Sequence, residues 1–263
     1  MTQTFFAPAL DLMIQIVKSY DLDPEPMMRE CGIDPALVAD PNTRIPLRNI
    51  AGFLNKATEL IPDPNFGLRA GSFWHPSQMG ALGYAWMTSD TLRAACKRLS
   101  RFISVINDAT EVTLKESSKS FSLVVDYSKQ EFRPEFQADA AMSALLAMVR
   151  TNAGADFHPK SVSFIHPEPQ DTGSFYALFQ CPVSFGAKTN SFTFSAADAD
   201  KPRSCSNAQL ALLSDQMLIE YVAKLDDDNI VEQTKLAIVQ ELASGNISDA
   251  IIARSFNMTE RTL

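Results

Sequence analysis

A change in the period of the apolar residues constrains the fold more than any other feature. In the first part of the chain they recur every three to four positions, which is typical of amphipathic helices. Across residues 111–127 they alternate with polar residues, which predicts a β-hairpin. A helical pattern returns at 134–154, and alternating runs follow at 161–166, 182–185 and 191–195. The order predicts an α+β fold with an N-terminal helical subdomain, further helices and an antiparallel sheet of about four or five strands.

The net charge of the chain limits which macromolecules and surfaces it can bind without specificity. Lys and Arg total 23 against 31 for Asp and Glu, a net charge of −8, which disfavours a general nucleic-acid coat protein or an anionic membrane surface. A sequence-specific DNA-binding protein remains possible because its basic surface can lie in one small module. The sequence has no signal peptide, no apolar run long enough to span a membrane and four scattered cysteines, so we expect a cytoplasmic protein with reduced thiols.

The last residues have the pattern of a helix-turn-helix. Gly245 ends an apolar-faced helix, and Ser248 or Asp249 caps a short second helix in which the small Ala253 permits a close crossing. The turn "SFNM" follows, and Thr259 caps a third helix. In such units the last helix enters the major groove of DNA. Spacing alone leaves open a plain bundle of three small helices.

The segment "ISDAIIARSFNMTERTL" resembles the first helix-turn-helix of AraC-type transcription regulators. The matching positions are Ala253, Met258, Thr259, Arg261, Thr262 and Leu263. Phe256 and Asn257 depart from the family pattern, although Asn tolerates the left-handed backbone of the turn. The resemblance implies that Thr259, Arg261 and Thr262 contact DNA.

A second resemblance covers residues 40–202. The segments "RIPL", "NFGLRAG", "GALGYAWMTSDTL", "SVSFIHPEP" and "CPVSFGAKTNSFTF" are similar to the N-terminal effector domain of the AraC-type branch with regulators of ornithine and arginine catabolism. This likeness implies an α+β effector domain, a small-molecule effector and no enzymatic activity. It also implies that the barrel-like cupin domain of arabinose-type regulators is absent.

Three regions follow from these patterns. Residues 1–205 form the effector-binding domain, 206–225 a linker or dimerisation helix, and 226–263 the first helix-turn-helix of an incomplete DNA-binding domain. The last region holds seven acidic and three basic residues, so we expect this chain to bind DNA poorly by itself. Promoter DNA is the expected partner of the complete protein.

The aromatic stretch "SFWHPSQMGALGYAW" is the candidate effector pocket. The effector-binding candidates are Arg69, Trp74, His75, Tyr84 and Trp86. Pockets combine apolar walls with a few polar anchors, and an Arg in an apolar wall would favour a carboxylate-bearing effector. The alternatives are that the aromatic residues pack in an ordinary core and that Arg69 lies on the surface.

An apolar stripe in residues 207–225 suggests a homodimer. Its members are Leu210, Leu213, Met217 and Tyr221, spaced by three and four positions. AraC-type regulators commonly dimerise through a helix near this position, which implies the same role here. The alternative is that the stripe packs against the protein's own sheet.

Signals for catalysis or metal binding are missing from the sequence. It has no G-x-S-x-G motif, no glycine-rich phosphate loop and no metal-ligand spacing among its three histidines. We therefore expect neither a cofactor nor a metal. The sequence predicts a ligand-responsive transcription regulator; the alternatives are a stand-alone sensor or dimerisation module and, third, an uncharacterised enzyme.

Overall fold

A computed structural model describes residues 2–130, 135–204 and 206–225, with a few isolated positions after them. The helices in these ranges are α1 (Asp11–Lys18), α2 (Pro24–Glu30), α3 (Leu47–Leu60), α4 (Ala70–Phe73), α5 (Ala81–Thr88), α6 (Leu92–Phe102), α7 (Glu135–Ala153), α8 (Gly173–Phe179), α9 (Ala196–Asp200) and α10 (Ala208–Leu225). The strands are β1 (Thr4–Phe6), β2 (Arg44–Pro46), β3 (Glu111–Glu116), β4 (Ser120–Asp126), β5 (Ser161–Ser163), β6 (Val183–Ser184) and β7 (Asn190–Ser195). The α+β prediction is confirmed.

The main sheet has five strands in the order β3-β4-β7-β5-β6. β3 and β4 form the predicted hairpin, in which Val112 pairs with Val125, and β7 pairs antiparallel with both β4 and β5. The sheet departs from the prediction at its edge, because β6 runs parallel to β5. Helix α8 connects these two strands, and such a crossover returns the chain in the same direction.

A second, two-stranded sheet was not predicted. β1 and β2 pair antiparallel, with Phe5 opposite Ile45. The guanidinium of Arg44 fixes this sheet to the rest of the domain: its Nε donates to the Thr4 hydroxyl at 2.7 Å and its Nη1 to the Val105 carbonyl at 2.5 Å. Each of these strands has only three residues, which is too few to show an alternation of apolar and polar side chains. The two strands are also forty positions apart, so no hairpin pattern connects them in the sequence.

Helix α7 lies between two hydrophobic cores. The smaller core joins it to α1, α2 and α3, and receives Phe136 and Ala144 from α7. The larger core fills the space between the sheet, α5 and α6, and receives Met142, Leu146 and Val149. A helix buried on opposite sides has apolar residues around most of its circumference, which accounts for the weak amphipathicity of its sequence.

Helix α10 packs against α5 and is held by charged groups on both sides. The guanidinium of Arg98 on α6 makes a bidentate ion pair with Asp215, with nitrogen–oxygen distances of 2.9–3.1 Å. Arg203, just before α10, donates to the carbonyl oxygens of Trp86 and Met87 at the end of α5. Because these bonds are charge-assisted, they fix α10 and the residue before it to α5 and α6.

The buried face of α10 is not the face defined by the apolar stripe. Its buried side chains are Ala211, Ser214, Leu218, Ile219 and Ala223. The stripe residues Leu210, Leu213 and Met217 are 49%, 49% and 61% exposed. Tyr221, the fourth member, is partly buried and meets Phe6 edge-on at a ring distance of 6.1 Å. Three of the four stripe residues therefore do not pack on the protein's own sheet.

The predicted DNA-contacting residues Thr259, Arg261 and Thr262 lie outside the described residues, as do most positions of the 226–263 region. Among the described positions there, Ile252 and Ala253 are helical and nearly fully buried. No helix in the described part of the chain is long and apolar enough to cross a membrane.

Candidate ligand-binding site

A cavity of about 920 Å³ lies between the helical subdomain and the main sheet. Its walls come from β1, α1 and α3 on one side and from α7, the 3-10 turn Ile103–Val105 and the β3–β4 hairpin on the other. Protein interiors are normally close-packed, so an empty space of this size is unusual. The volume lies within the range of pockets that hold small molecules.

Small side chains open the space. Ala51 on α3 and Ala140, Ala141 and Ala144 on α7 all line the cavity. An alanine side chain ends at Cβ, so the helices present backbone and methyl groups where larger residues would fill the gap. The run "ADAAMSALLA" in α7 thus forms a wall of the cavity as well as a core helix.

Trp74 lines the cavity, and its indole carries a buried hydrogen-bond donor without a partner among the described residues. It follows α4, which is fixed to α7 because the Ser143 hydroxyl donates to the Leu68 carbonyl at 2.5 Å and accepts from the Gly71 amide at 2.9 Å. The Trp74 Nε1–H is buried and has no hydrogen-bond partner among the described residues. A buried donor without an acceptor costs about 1–3 kcal/mol, and the surrounding atoms separate this nitrogen from the open space of the cavity.

A polar cluster lies beside the β3–β4 hairpin. The amide of Gln130, which is 6% exposed, donates to the Thr110 hydroxyl at 3.0 Å and accepts from the Gln137 amide at 3.1 Å. Tyr127 also lines the cavity, and burial raises the pKa of its phenol well above the ordinary value. The phenol therefore stays protonated and can donate a hydrogen bond at any physiological pH.

The charged residues that line the cavity are Arg48 and Lys129. Lys129 is 3.3 Å from Glu111, and both side chains are more than half exposed. Arg48 is exposed and takes part in none of the ion pairs found among the described residues. Within the described lining there is no Asp or Glu. The charged side chains of the described lining are therefore both basic, and that of Arg48 is not neutralised by an ion pair among the described residues.

Of the five effector-binding candidates from the sequence, Trp74 lines the cavity and the other four do not. Arg69 is exposed, and its guanidinium stacks over the Tyr20 ring at 4.7 Å. The Tyr20 hydroxyl in turn donates to Asp63 at 2.6 Å. Arg69 thus belongs to a surface cluster on the helical subdomain.

The remaining three candidates have structural surroundings of their own. His75 is exposed and caps the turn Pro76–Met79 by accepting from the Ser77 amide. Tyr84 is 51% exposed on α5. Trp86 is fully buried, and its Nε1–H donates to the Met148 carbonyl at 3.0 Å, so it is a core tryptophan.

Sequence reasoning missed Arg48, Tyr127 and Gln130. They come from the start of α3 and from the chain after β4, so no short stretch of sequence contains them together. Among the described residues there is no group of three or more His, Cys, Asp or Glu side chains that could hold a metal ion. His166 and Asp139 form a buried pair at 3.0 Å, packed beside Phe164, and neither residue is among those that line the cavity.

An α+β domain that encloses a cavity of small-molecule size and ends in a docked helix is typical of a ligand-binding domain. In agreement, the family model for the arabinose-binding domain of AraC transcription regulators, N-terminal, matches residues 22–203. The chain belongs to the AraC family of transcription regulators and contains the ligand-binding domain of that family.

Individual relatives agree with this assignment. The chain is 20% identical over 226 residues to the Ornithine utilization regulator of Pseudomonas aeruginosa, a match that covers 82% of this chain and 64% of that protein. The crystal structure of the transcriptional regulator CdpR from Pseudomonas aeruginosa has a TM-score of 0.59 and 17% identity, covering 96% of this chain and 77% of that one. The second likeness shows a shared fold. The AraC-type resemblance found in the sequence is confirmed.

Proposed function

We propose that the protein is a ligand-responsive, DNA-binding transcription regulator whose effector occupies the cavity between the helical subdomain and the main sheet. The observation that carries this proposal is the cavity itself, with the indole of Trp74 and the phenol of Tyr127 among its lining residues. Apolar walls with a few hydrogen-bonding groups are the usual composition of a small-molecule site. A carboxylate-bearing effector is part of the proposal.

Contacts between the cavity wall and α10 offer a physical connection to the DNA-binding region. Phe5 and Ile103 line the cavity, and the 3-10 turn that contains Ile103 packs against α10. Phe6, next to Phe5, meets Tyr221 on α10. An effector changes the position of α10 only if it binds two arrangements of these groups with different affinity.

DNA contact is assigned to Thr259, Arg261 and Thr262 on the strength of the helix-turn-helix resemblance. In a chain extended through a complete DNA-binding domain, Arg261→Ala should weaken binding to promoter DNA. Fluorescence anisotropy at two salt concentrations measures this, because phosphate contacts make affinity depend on salt. An unchanged affinity would remove Arg261 from the DNA interface.

A homodimer through the exposed stripe of α10 is the proposed assembly. Leu210, Leu213 and Met217 form a contiguous apolar surface, and such surfaces are rarely left open to water. Two-fold symmetry also matches the paired half-sites that dimeric regulators bind.

We expect Leu213→Glu to convert a dimer into a folded monomer, because Leu213 makes no core contact and a buried charge opposes association. Sedimentation velocity measures the change, and circular dichroism checks the fold. Leu60→Glu, which introduces the same charge at an exposed leucine at the end of α3, is the matched control and should remain dimeric. A wild-type monomer at high protein concentration would contradict the assembly.

The effector site is tested by thermal unfolding of the full chain in the presence of a chemically diverse panel of small molecules. A compound that binds only the native state raises the midpoint of thermal unfolding. At a concentration one hundred times its Kd, it adds about 2.7 kcal/mol to the free energy of unfolding. At least one compound should do so and should also quench or shift the fluorescence of Trp74. A panel without any stabilising compound would support a module that senses no small molecule.

A further inference from the structure

We infer that the cavity takes an apolar ligand with one anionic head, such as a medium-chain alkyl carboxylate, and does not take a diamino acid. This inference rests on the proposed function, since it names the chemical class of the effector in the same cavity. It follows from three properties of the described lining: its shape and apolarity, the sign of its charges and the position of Arg48.

The deep part of the cavity suits an alkyl or aryl body. Leu99, Ile106, Val112, Leu145 and Met148 are all buried and all line it. Each methylene group that moves from water to such surroundings contributes favourably to binding. A compact polar molecule would leave these walls without contacts and would lose its own hydration.

The charges of the described lining oppose the binding of a ligand with cationic groups. An ammonium group buried without a carboxylate partner loses its hydration with nothing to replace it, which is strongly unfavourable. The described lining contains no Asp or Glu, and the nearest acid to Lys129 is already paired with it. A diamino acid would bring two ammonium groups into this environment.

Arg48 is placed to hold an anionic head. It lies in the first turn of α3, is exposed and has no ion-pair partner among the described residues. Its guanidinium can bind a carboxylate through two parallel hydrogen bonds. The body would then extend inward from the mouth toward the buried wall.

The curated relative is named for ornithine utilization, and ornithine is a diamino acid. The charge of the lining therefore predicts that this chain responds to a different class of molecule from the one in that name.

The test is isothermal titration of the full chain with decanoate, decan-1-ol, decylamine, ornithine and arabinose, each below any aggregation concentration. These probes separate the apolar body from the head charge and include a diamino acid and a neutral sugar. Decanoate should bind most tightly, decan-1-ol about tenfold more weakly, and the other three without measurable heat.

The Arg48→Gln variant tests whether Arg48 binds the anionic head group of the ligand. This exposed substitution should weaken decanoate about tenfold and leave decan-1-ol unchanged, because only the charged head loses its partner. Arg69→Gln is the matched control, since Arg69 is an exposed arginine outside the cavity lining, and it should change neither affinity.

The outcomes separate the two levels of the proposal. Tighter binding of decylamine, ornithine or arabinose than of decanoate would overturn the ligand class and leave the effector site standing. Equal loss of decanoate and decan-1-ol affinity, or no loss, in Arg48→Gln would overturn the role of Arg48. Absence of binding by these probes and by every compound of the wider panel would overturn the effector site itself.

Discussion

Replacing Gly83 with alanine is expected to destabilise the protein by about 3 kcal/mol, which lowers the midpoint of thermal unfolding by roughly 10 °C. Gly83 lies in α5 where that helix touches the preceding turn, and a Cβ there would overlap the Pro76 carbonyl, 2.7 Å from its carbon. Both partners are backbone, so neither can move without shifting α5 or the turn. Chemical denaturation followed by circular dichroism measures the loss.

Gly52→Ala is the control for this substitution. Gly52 is also a helical glycine, but its added Cβ would meet the Cys31 side chain at 3.2 Å, and a side chain can adjust. Alanine has the higher helix propensity by about 1 kcal/mol, so this variant should be nearly as stable as the wild type or slightly more stable. Equal stability of the two variants would mean that the contact between α5 and the turn is not rigid.

The fold was largely predictable because its signals are local. The stripes of α3 and α6, the hairpin of β3 and β4 and the alternation in β7 each occupy a short stretch of sequence. The β1–β2 pair was not, because a strand of three residues carries too few side chains for a period. The run 182–185 did predict the strand β6, but not that it pairs parallel with β5. Their pairing is decided by contacts between distant parts of the chain.

The candidate site was less predictable for the same reason. Trp74, which lines the cavity, was a candidate because it stands in an aromatic stretch, yet Trp86 in the same stretch is a core residue with a satisfied indole. Composition cannot distinguish the two, since what separates them is whether a backbone carbonyl lies within reach of Nε1–H. Nothing in the sequence around Arg48 or Tyr127 indicates a binding site. The two residues line one cavity only because the fold brings α3 next to the hairpin.

The stripe on α10 illustrates a different limit. The helix has apolar residues on two faces. The spacing in the sequence pointed to the face with Leu210, Leu213 and Met217, whose side chains are exposed in the structure. The buried face instead contains Ala211 and Ser214, small residues that let α10 approach α5 closely. Helical periodicity identifies a face, but it does not identify what the face packs against.

Filling the cavity from α7 is expected to abolish effector binding without unfolding the protein. In Ala141→Phe, a phenyl ring would extend from the α7 wall into the space that the ligand body needs. The affinity of the tightest ligand of the panel should fall at least about 100-fold, or ~2.7 kcal/mol. Because the ring enters an empty space, the cost of overpacking is small and the unfolding midpoint should stay close to that of the wild type.

Two further variants make this test specific. Ala51→Phe fills the same cavity from α3 on the opposite wall and should give the same loss of binding. Ala153→Phe adds the same ring at the exposed end of α7 and should leave the affinity unchanged. Isothermal titration measures all three. Full-strength binding by folded Ala141→Phe and Ala51→Phe would place the effector away from both of these walls.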